Sequence, residues 1–394
     1  MSAGATSRTG GEAGDESRDE LLDEALVDAL TFSWSELPTL SADLPGTGGT
    51  LRHEPDDFDV REIPLYLPEG RGSHTYLRVE KVGLTTRDLV RTLVAEGIPE
   101  RSIGVAGLKD KHARTEQWLS VPRRFEGAAE ALDAVAGVRV LEESRHRNKL
   151  GIGHLRGNRF TIVVRGTVGD ARARAEAALA AVAGRGIPNY FGPQRFGRFG
   201  RNAVDGALAV RGVRVPGGRM LTRFFVGALQ SQLFNALLAE RVRDGTFGTL
   251  LRGDWARKHD TGGTFEVEDV AAEAPRAAAL AVSATIPLHG SRVRPSKDEA
   301  GERERRALER FGLTWEDLAG RGEGGGAKRL ANAGRRGDRR MSRLVALDVS
   351  VADERDALRI TFDLPRGSYA TTVVREITKV EFDAPTVEAE PDEG

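Results

Sequence analysis

The sequence predicts an α+β protein in which a mixed sheet domain, built from both chain ends, is interrupted by an inserted second domain. Three observations lead there. At 394 residues the chain is longer than one core ordinarily supports, so two domains plus tails is the expectation. Short strand-like runs recur between Phe58 and Val164 and return between Val345 and Phe362, where they have no obvious partners nearby. Between the two groups, at Ile187-Pro188, composition shifts to aromatic, Gly and Arg residues, and a long helical stripe follows.

Taken in order, residues 1 to about 20 are Gly, Ser, Ala and acid, too poor in apolar groups to offset the entropy of ordering, and read as disordered. Leu21–Leu30 has the pattern of a short helix. Strands are expected around Phe58–Ile63 and Thr75–Lys81, then a helix opened by Thr85 or Thr86, burying Leu89, Val90, Leu93 and Val94 and stopping at Gly97. The runs Ile103–Ala106 and Gln117–Val121 read as strands on either side of a polar loop. Val138–Glu142 and Phe160–Val164 continue the strand pattern, and Ala171–Val182 is an alanine-rich helix ended by Gly184 and Gly186. In the insertion the clearest helix runs from about Val226 to Val242, with Leu229, Leu233, Phe234, Leu237 and Leu238 spaced for one buried face. Residues 270–342 are rich in Ala, Gly and charge, with a helix near Asp298–Phe311 and a flexible-looking Gly320–Gly326, and loose packing is expected there. Strands around Val345–Val349 and Leu358–Phe362 are expected to rejoin the first sheet. The divisions are then an acidic, disordered N-terminal extension over 1–45, the sheet domain over 46–188 and 343–380, the insertion over 189–342 and an acidic tail over 381–394.

Composition narrows the function. No apolar run approaches the roughly 20 residues that span a bilayer, and the N-terminus lacks the basic start and apolar core of a secretory signal, so a cytoplasmic protein with no membrane partner is expected. With no cysteine and seven histidines, disulfides and thiolate chemistry are excluded and metal dependence is not expected. The formal net charge of -1 hides an uneven distribution. Residues 1–36 hold nine acids against Arg8 and Arg18, and residues 381–394 hold six acids and no base, which leaves 56 basic against 44 acidic residues for 37–380. Arg supplies 50 of the 58 bases. Its planar fork suits phosphate and base edges, although a GC-rich genome would produce the same bias.

The most informative segment is Gly107-Leu-Lys-Asp-Lys-His-Ala-Arg-Thr-Glu-Gln-Trp118, which sets one carboxylate, Asp110, among Lys109, Lys111, His112 and Arg114. Nearby cations hold an aspartate ionised, and an ionised carboxylate on a short loop can act as a nucleophile. A polar hairpin connection is the competing reading. Arg145–Lys149 with His154, Arg156, Asn158, Arg159 and Phe160 combines phosphate-binding cations, an amide for a base edge and a stacking ring, or else forms a solvated basic hairpin. Asn189–Asn202 repeats aromatics, Gly and Arg, including Arg195, as a nucleic-acid surface or a buried turn. Phe58, in Glu54–Glu62, and Tyr369, in Gly367–Glu376, either pack in a core or stack on a ring, and Ser368 is a plausible helix cap.

Together, Glu54–Glu62, Gly107–Trp118, Gly157–Phe160, Asn189–Gly197 and Gly367–Glu376 resemble, in order, the motifs of the TruD family of tRNA pseudouridine synthases. The resemblance implies a cofactor-free isomerisation of a uridine in tRNA, position 13 being the family's usual target, on a pseudouridine-synthase mixed sheet domain carrying an inserted α/β TruD-specific domain. It implies Asp110 as nucleophile, and Phe58, Asn158, Phe160 and Tyr369 as the lining of the uridine pocket. Beside these, Lys109, Lys111, Arg195 and Arg375 are expected as supporting cations, with at least one base pairing with Asp110, and no metal is expected. The partner implied is tRNA, bound by a monomer with no obligatory protein partner. Two other readings use the same residues. A non-catalytic RNA chaperone needs only the basic and aromatic surface, and an aspartate-nucleophile hydrolase needs a metal or a general base, for which the sequence offers only His112 near Asp110.

Overall fold

A computed structural model describes residues 22–51, 54–320 and 337–382. The expectations for residues 1–20, for most of Gly320–Gly326 and for the tail beyond 382 lie outside the described residues. The disordered extension expected over 1–45 is corrected in its described part, where the helix Glu24–Leu30 forms and Leu30, Trp34 and Leu37 are buried. The chain divides into two compact units, one of Thr39–Asn189 with Leu344–Phe382, the other centred on Tyr190–Arg343. Thr39–Ser41 join the first unit because Glu376 accepts hydrogen bonds from the Leu40 and Ser41 backbone and from the Ser41 hydroxyl.

The first unit is an eight-stranded sheet. Its strands are β1 (Phe58–Pro64), β2 (His74–Val82), β3 (Gly104–Val105), β4 (Arg114–Pro122), β5 (Val138–His146), β6 (Leu155–Arg165), β7 (Leu347–Glu354) and β8 (Ala357–Pro365). Their order is β7-β8-β6-β1-β4-β2-β5, with β3 beside β4, and β1 runs parallel to β4 while the other pairings are antiparallel. Residues directly opposite in a ladder share a face. The register therefore draws a row Lys81–Thr115–Val60–Phe160–Phe362 across five strands and a neighbouring row Glu62–Asn158–Leu364.

Four helices cover that face: α1 (Thr86–Ala95), α2 (Ala128–Asp133), α3 (Ala171–Val182) and α4 (Ala370–Thr378). Thr85 caps α1 in a reciprocal box with Asp88, so the sequence signal and the structure agree. Helices α1 and α2 close one apolar cluster with Leu77, Val79, Leu89, Leu93, Leu119 and Val121. Helices α3 and α4 close a second, with Val60, Phe160, Ile162, Ala175, Phe362, Val373 and Ile377. Burial of each large side chain contributes about 1.5–3 kcal/mol. Between these clusters the same face carries buried Lys81, Thr115, Gln117 and Glu62, a polar strip inside an otherwise apolar layer.

Two expectations about the second unit are corrected. Its long helix spans Gly218–Arg243, eight residues earlier than the apolar stripe indicated, because the first two turns carry Arg219, Thr222 and Arg223 outside the stripe. The described parts of this range, residues 270–320 and 337–342, are not loosely packed. They contain the helices Val270–Ala278 and Asp298–Arg310 and the strand Val282–Leu288, which lies between Trp255–Lys258 and Asp338–Met341 in a four-stranded antiparallel sheet. Their charge is used internally: Arg339 donates to Glu304, Ser296 and Thr285 inside the unit.

Candidate active site

Asp110 lies on the loop between β3 and β4 and is exposed, whereas its neighbour Lys109 is buried. What holds the loop is a lysine that the sequence reading passed over. Lys81, at the end of β2 and fully buried, donates from Nζ to the carbonyl oxygens of Leu84 at 2.6 Å, Asp110 at 2.8 Å and Lys109 at 3.4 Å. An ammonium has three protons, and here each meets a backbone carbonyl, two of them on the Asp110 loop and the third at Leu84 between β2 and α1. Burial lowers the Lys81 pKa to about 8, against the opposing pull of the Asp110 charge.

Lys109 reaches the other way. Its backbone N–H donates to Thr86 Oγ1 at 2.8 Å, and Thr86 in turn donates to Gln117 Oε1 at 2.8 Å, so the start of α1 fixes the loop. Its Nζ donates to Asn158 Oδ1 at 2.9 Å and lies 3.2 Å from Glu62 Oε2. Burial raises the Glu62 pKa and the Lys109 charge works against that rise. The Trp118 N–H reaches the other Glu62 oxygen at 3.4 Å. Gly157, just before Asn158, is required by close approach, since a Cβ there would collide with the Leu364 carbonyl oxygen of β8.

Phe58 and Phe160 are 3% and 7% exposed. Their rings meet edge-to-face with centroids 6.2 Å apart, and Phe160 stacks on Phe362 at 5.6 Å. Both aromatics are thus core members. Tyr369 is half-buried at the N-cap of α4, where Ser368 was expected, and its carbonyl accepts from Thr372 Oγ1 at 2.7 Å.

The structure therefore brings Asp110, Lys109 and Asn158 into one hydrogen-bonded and electrostatic neighbourhood with Lys81 and Glu62. Lys111 is exposed, Arg375 is half-buried on α4, and Arg195 belongs to the second unit, where its Nε donates to Ser231 Oγ at 3.2 Å. Lys109 has its ion pair with Glu62, and the Asp110 charge favours the protonated form of Lys81. Lys81 and Glu62 were missed although a signal existed. Each sits in phase with buried apolar residues of its strand, Leu77-Val79-Lys81 and Phe58-Val60-Glu62, a parity that an exposed charge has no reason to keep.

The family model described as tRNA pseudouridine synthase D (TruD) matches residues 35–213 and 208–377. A relative named tRNA pseudouridine synthase D from Anaeromyxobacter dehalogenans is 49% identical over 359 residues, covering 89% of this chain and 99% of its own. One of the same name from Thermus thermophilus is 46% identical over 363 residues, covering 92% and 97%. A solved structure from Methanosarcina mazei, described provisionally as tRNA pseudouridine synthase D, aligns with a TM-score of 0.69 at 23% identity over 90% of this chain and 98% of the other, a likeness of fold.

Proposed function

Since the chain belongs to the TruD family of tRNA pseudouridine synthases, we propose that it isomerises a uridine in tRNA, at position 13, to pseudouridine, with Asp110 as nucleophile. Uracil has to be detached from C1′, turned and rejoined through C5. Atoms balance within the substrate, with the C5 proton released to solvent and one returned to the freed ring nitrogen. A carboxylate that attacks C1′ or uracil C6, or that assists a glycal route, is the chemical requirement.

The observation that carries this reading is the way the Asp110 loop is held. Lys81 clamps the carbonyls of Lys109 and Asp110 from beneath, which leaves a short, fixed loop presenting an exposed carboxylate. Asn158 contributes a polar contact to the uracil edge, Phe160 and Phe58 form the apolar wall, and Tyr369 the opposite side. The target base must leave its stack at a cost of a few kcal/mol, and phosphate contacts from Arg residues such as Arg195 and Arg375 help to offset it. The enzyme acts as a cytoplasmic monomer with tRNA as partner. Among the described residues no helix is long and apolar enough to cross a membrane.

The test is pseudouridine mapping on unmodified tRNA transcripts with the wild type and Asp110→Asn. Pseudouridine from the wild type, with tRNA bound by both proteins and activity reduced at least about 10³-fold in the variant, is expected. Binding by both with no pseudouridine from either would support the chaperone reading.

A further inference from the structure

We propose that Lys109 is a positioning residue that locks the Asn158 amide with its NH2 group outward, so that the site reads a carbonyl oxygen of the target uracil and not its N3–H. The inference rests on the uridine-isomerising reading above. An asparagine amide can be turned by half a revolution at little intrinsic cost, and the two settings offer a ligand opposite chemistry, acceptor or donor. Here the setting is decided by the neighbour. An ammonium has donors only, so the atom facing Lys109 Nζ at 2.9 Å is the Asn158 oxygen, and the reverse setting would put N–H against N–H.

The lysine itself cannot retreat. Its side chain is 5% exposed, it is drawn to Glu62 at 3.2 Å, whose side chain is 1% exposed, and its backbone is tied to Thr86. Glu62 and Asn158 are opposite partners in the β1–β6 ladder, so the two groups that Lys109 contacts share one face at fixed spacing. Asn158 is half-buried, and among the described residues its Nδ2 makes no hydrogen bond, so the donor is available to a ligand. Uracil offers acceptors at O2 and O4 and a donor at N3, and a fixed donor can pair only with the acceptors.

The experiment measures kcat/KM, by nucleoside chromatography of digested product, for tRNA carrying uridine, 2-thiouridine or 4-thiouridine at the target position. Sulfur is a weak acceptor, so one of the two thio substrates should react about 10-fold more slowly than uridine with the wild-type enzyme. In the double variant Lys109→Met/Glu62→Gln, which leaves no buried charge unpaired, that penalty should shrink to about 2-fold while uridine itself reacts more slowly. Asn158→Asp keeps a partner for Lys109 but presents no donor, and should erase the penalty in the same way, which covers the case in which the double variant fails to fold. Equal rates on all three substrates with the wild type, or an unchanged penalty in the variants, overturn the proposal. Failure of the underlying reading shows separately, as no pseudouridine from the wild type on uridine-containing tRNA.

Discussion

Each unit buries a cation–glutamate pair, and the two are completed differently. In the second unit, Glu304 accepts from Arg339, from the Ser296 N–H and from the Ser296 hydroxyl, while Arg339 spreads its donors over Thr285, Arg294, Ser296 and Glu304. Both partners are saturated by protein. In the sheet unit, Glu62 Oε2 is buried beside Lys109 without hydrogen-bond geometry, and the ammonium's aligned bond goes to Asn158, whose own donor is left over among the described residues. Buried polar groups ordinarily find partners. A saturated network holds a fold together, whereas one that ends in an unused donor is arranged for something that arrives later.

The largest expected effect tests the saturated side. Arg339→Met leaves Glu304 and its hydrogen-bonding neighbours without their cation, and breaking such a buried pair costs about 3–5 kcal/mol. Denaturant unfolding should report that loss, while kcat on tRNA, measured where the variant is still folded, should match the wild type. A drop in kcat under those conditions would break the distinction between a pair that supports the fold and a pair that supports the reaction.

The next effect concerns Lys81 and reads stability and activity in opposite directions. Its folded pKa of about 8 lies below the usual value of 10.5. Between those limits the unfolded chain holds the proton that the folded protein has released, so stability rises with pH across the window; below about 8 both states are charged and the full cost of burying the charge remains. Activity should move the other way. A neutral amine has two protons for the three carbonyls and no charge for Asp110, so kcat/KM should fall above pH 8, approaching tenfold per unit. Paired pH profiles of rate and of denaturation midpoint between pH 7 and 9.5 check this. Rate and stability falling together would mean that unfolding, not Lys81, produces the alkaline limb.

How much of this was legible depends on whether the information was local. The capping box of α1, the alanine-rich α3 and the strand phase of Leu358-Ile360-Phe362 are local patterns and were readable. So was the polar loop that carries Asp110, set between two strands. The start of the Gly218–Arg243 helix was not, because its first turns pack little and their side chains fall outside the apolar stripe. The packing of residues 270–320 and 337–342 was hidden for a related reason: Arg339 and Glu304 look like surface charges until the fold brings them together across thirty-five positions. Glu62 and Lys109 are forty-seven residues apart, and Lys109 and Asn158 forty-nine, so their contact is a property of the ladder register and not of any motif. The parity of Lys81 and Glu62 within their strands was the one trace of it in the sequence.

The smallest effect sets the far limit of the comparison, on the opposite face of the same sheet. Arg159, the next residue along β6 from Asn158, points away from the polar strip and pairs with Asp363 at 2.7 Å and Asp348 at 3.1 Å while remaining 45% exposed. Its geometry is as good as that of the buried pairs, but water competes for every donor. Arg159→Ala should therefore cost less than about 1 kcal/mol, and less again at high ionic strength. Denaturant midpoints at low and high salt measure it. If this variant costs as much as Arg339→Met, contact geometry governs the value of an ion pair here; if the two differ by several-fold, burial governs it, and the unfinished pair at Glu62 and Lys109 is held in place at a stability cost that the catalytic reading has to explain.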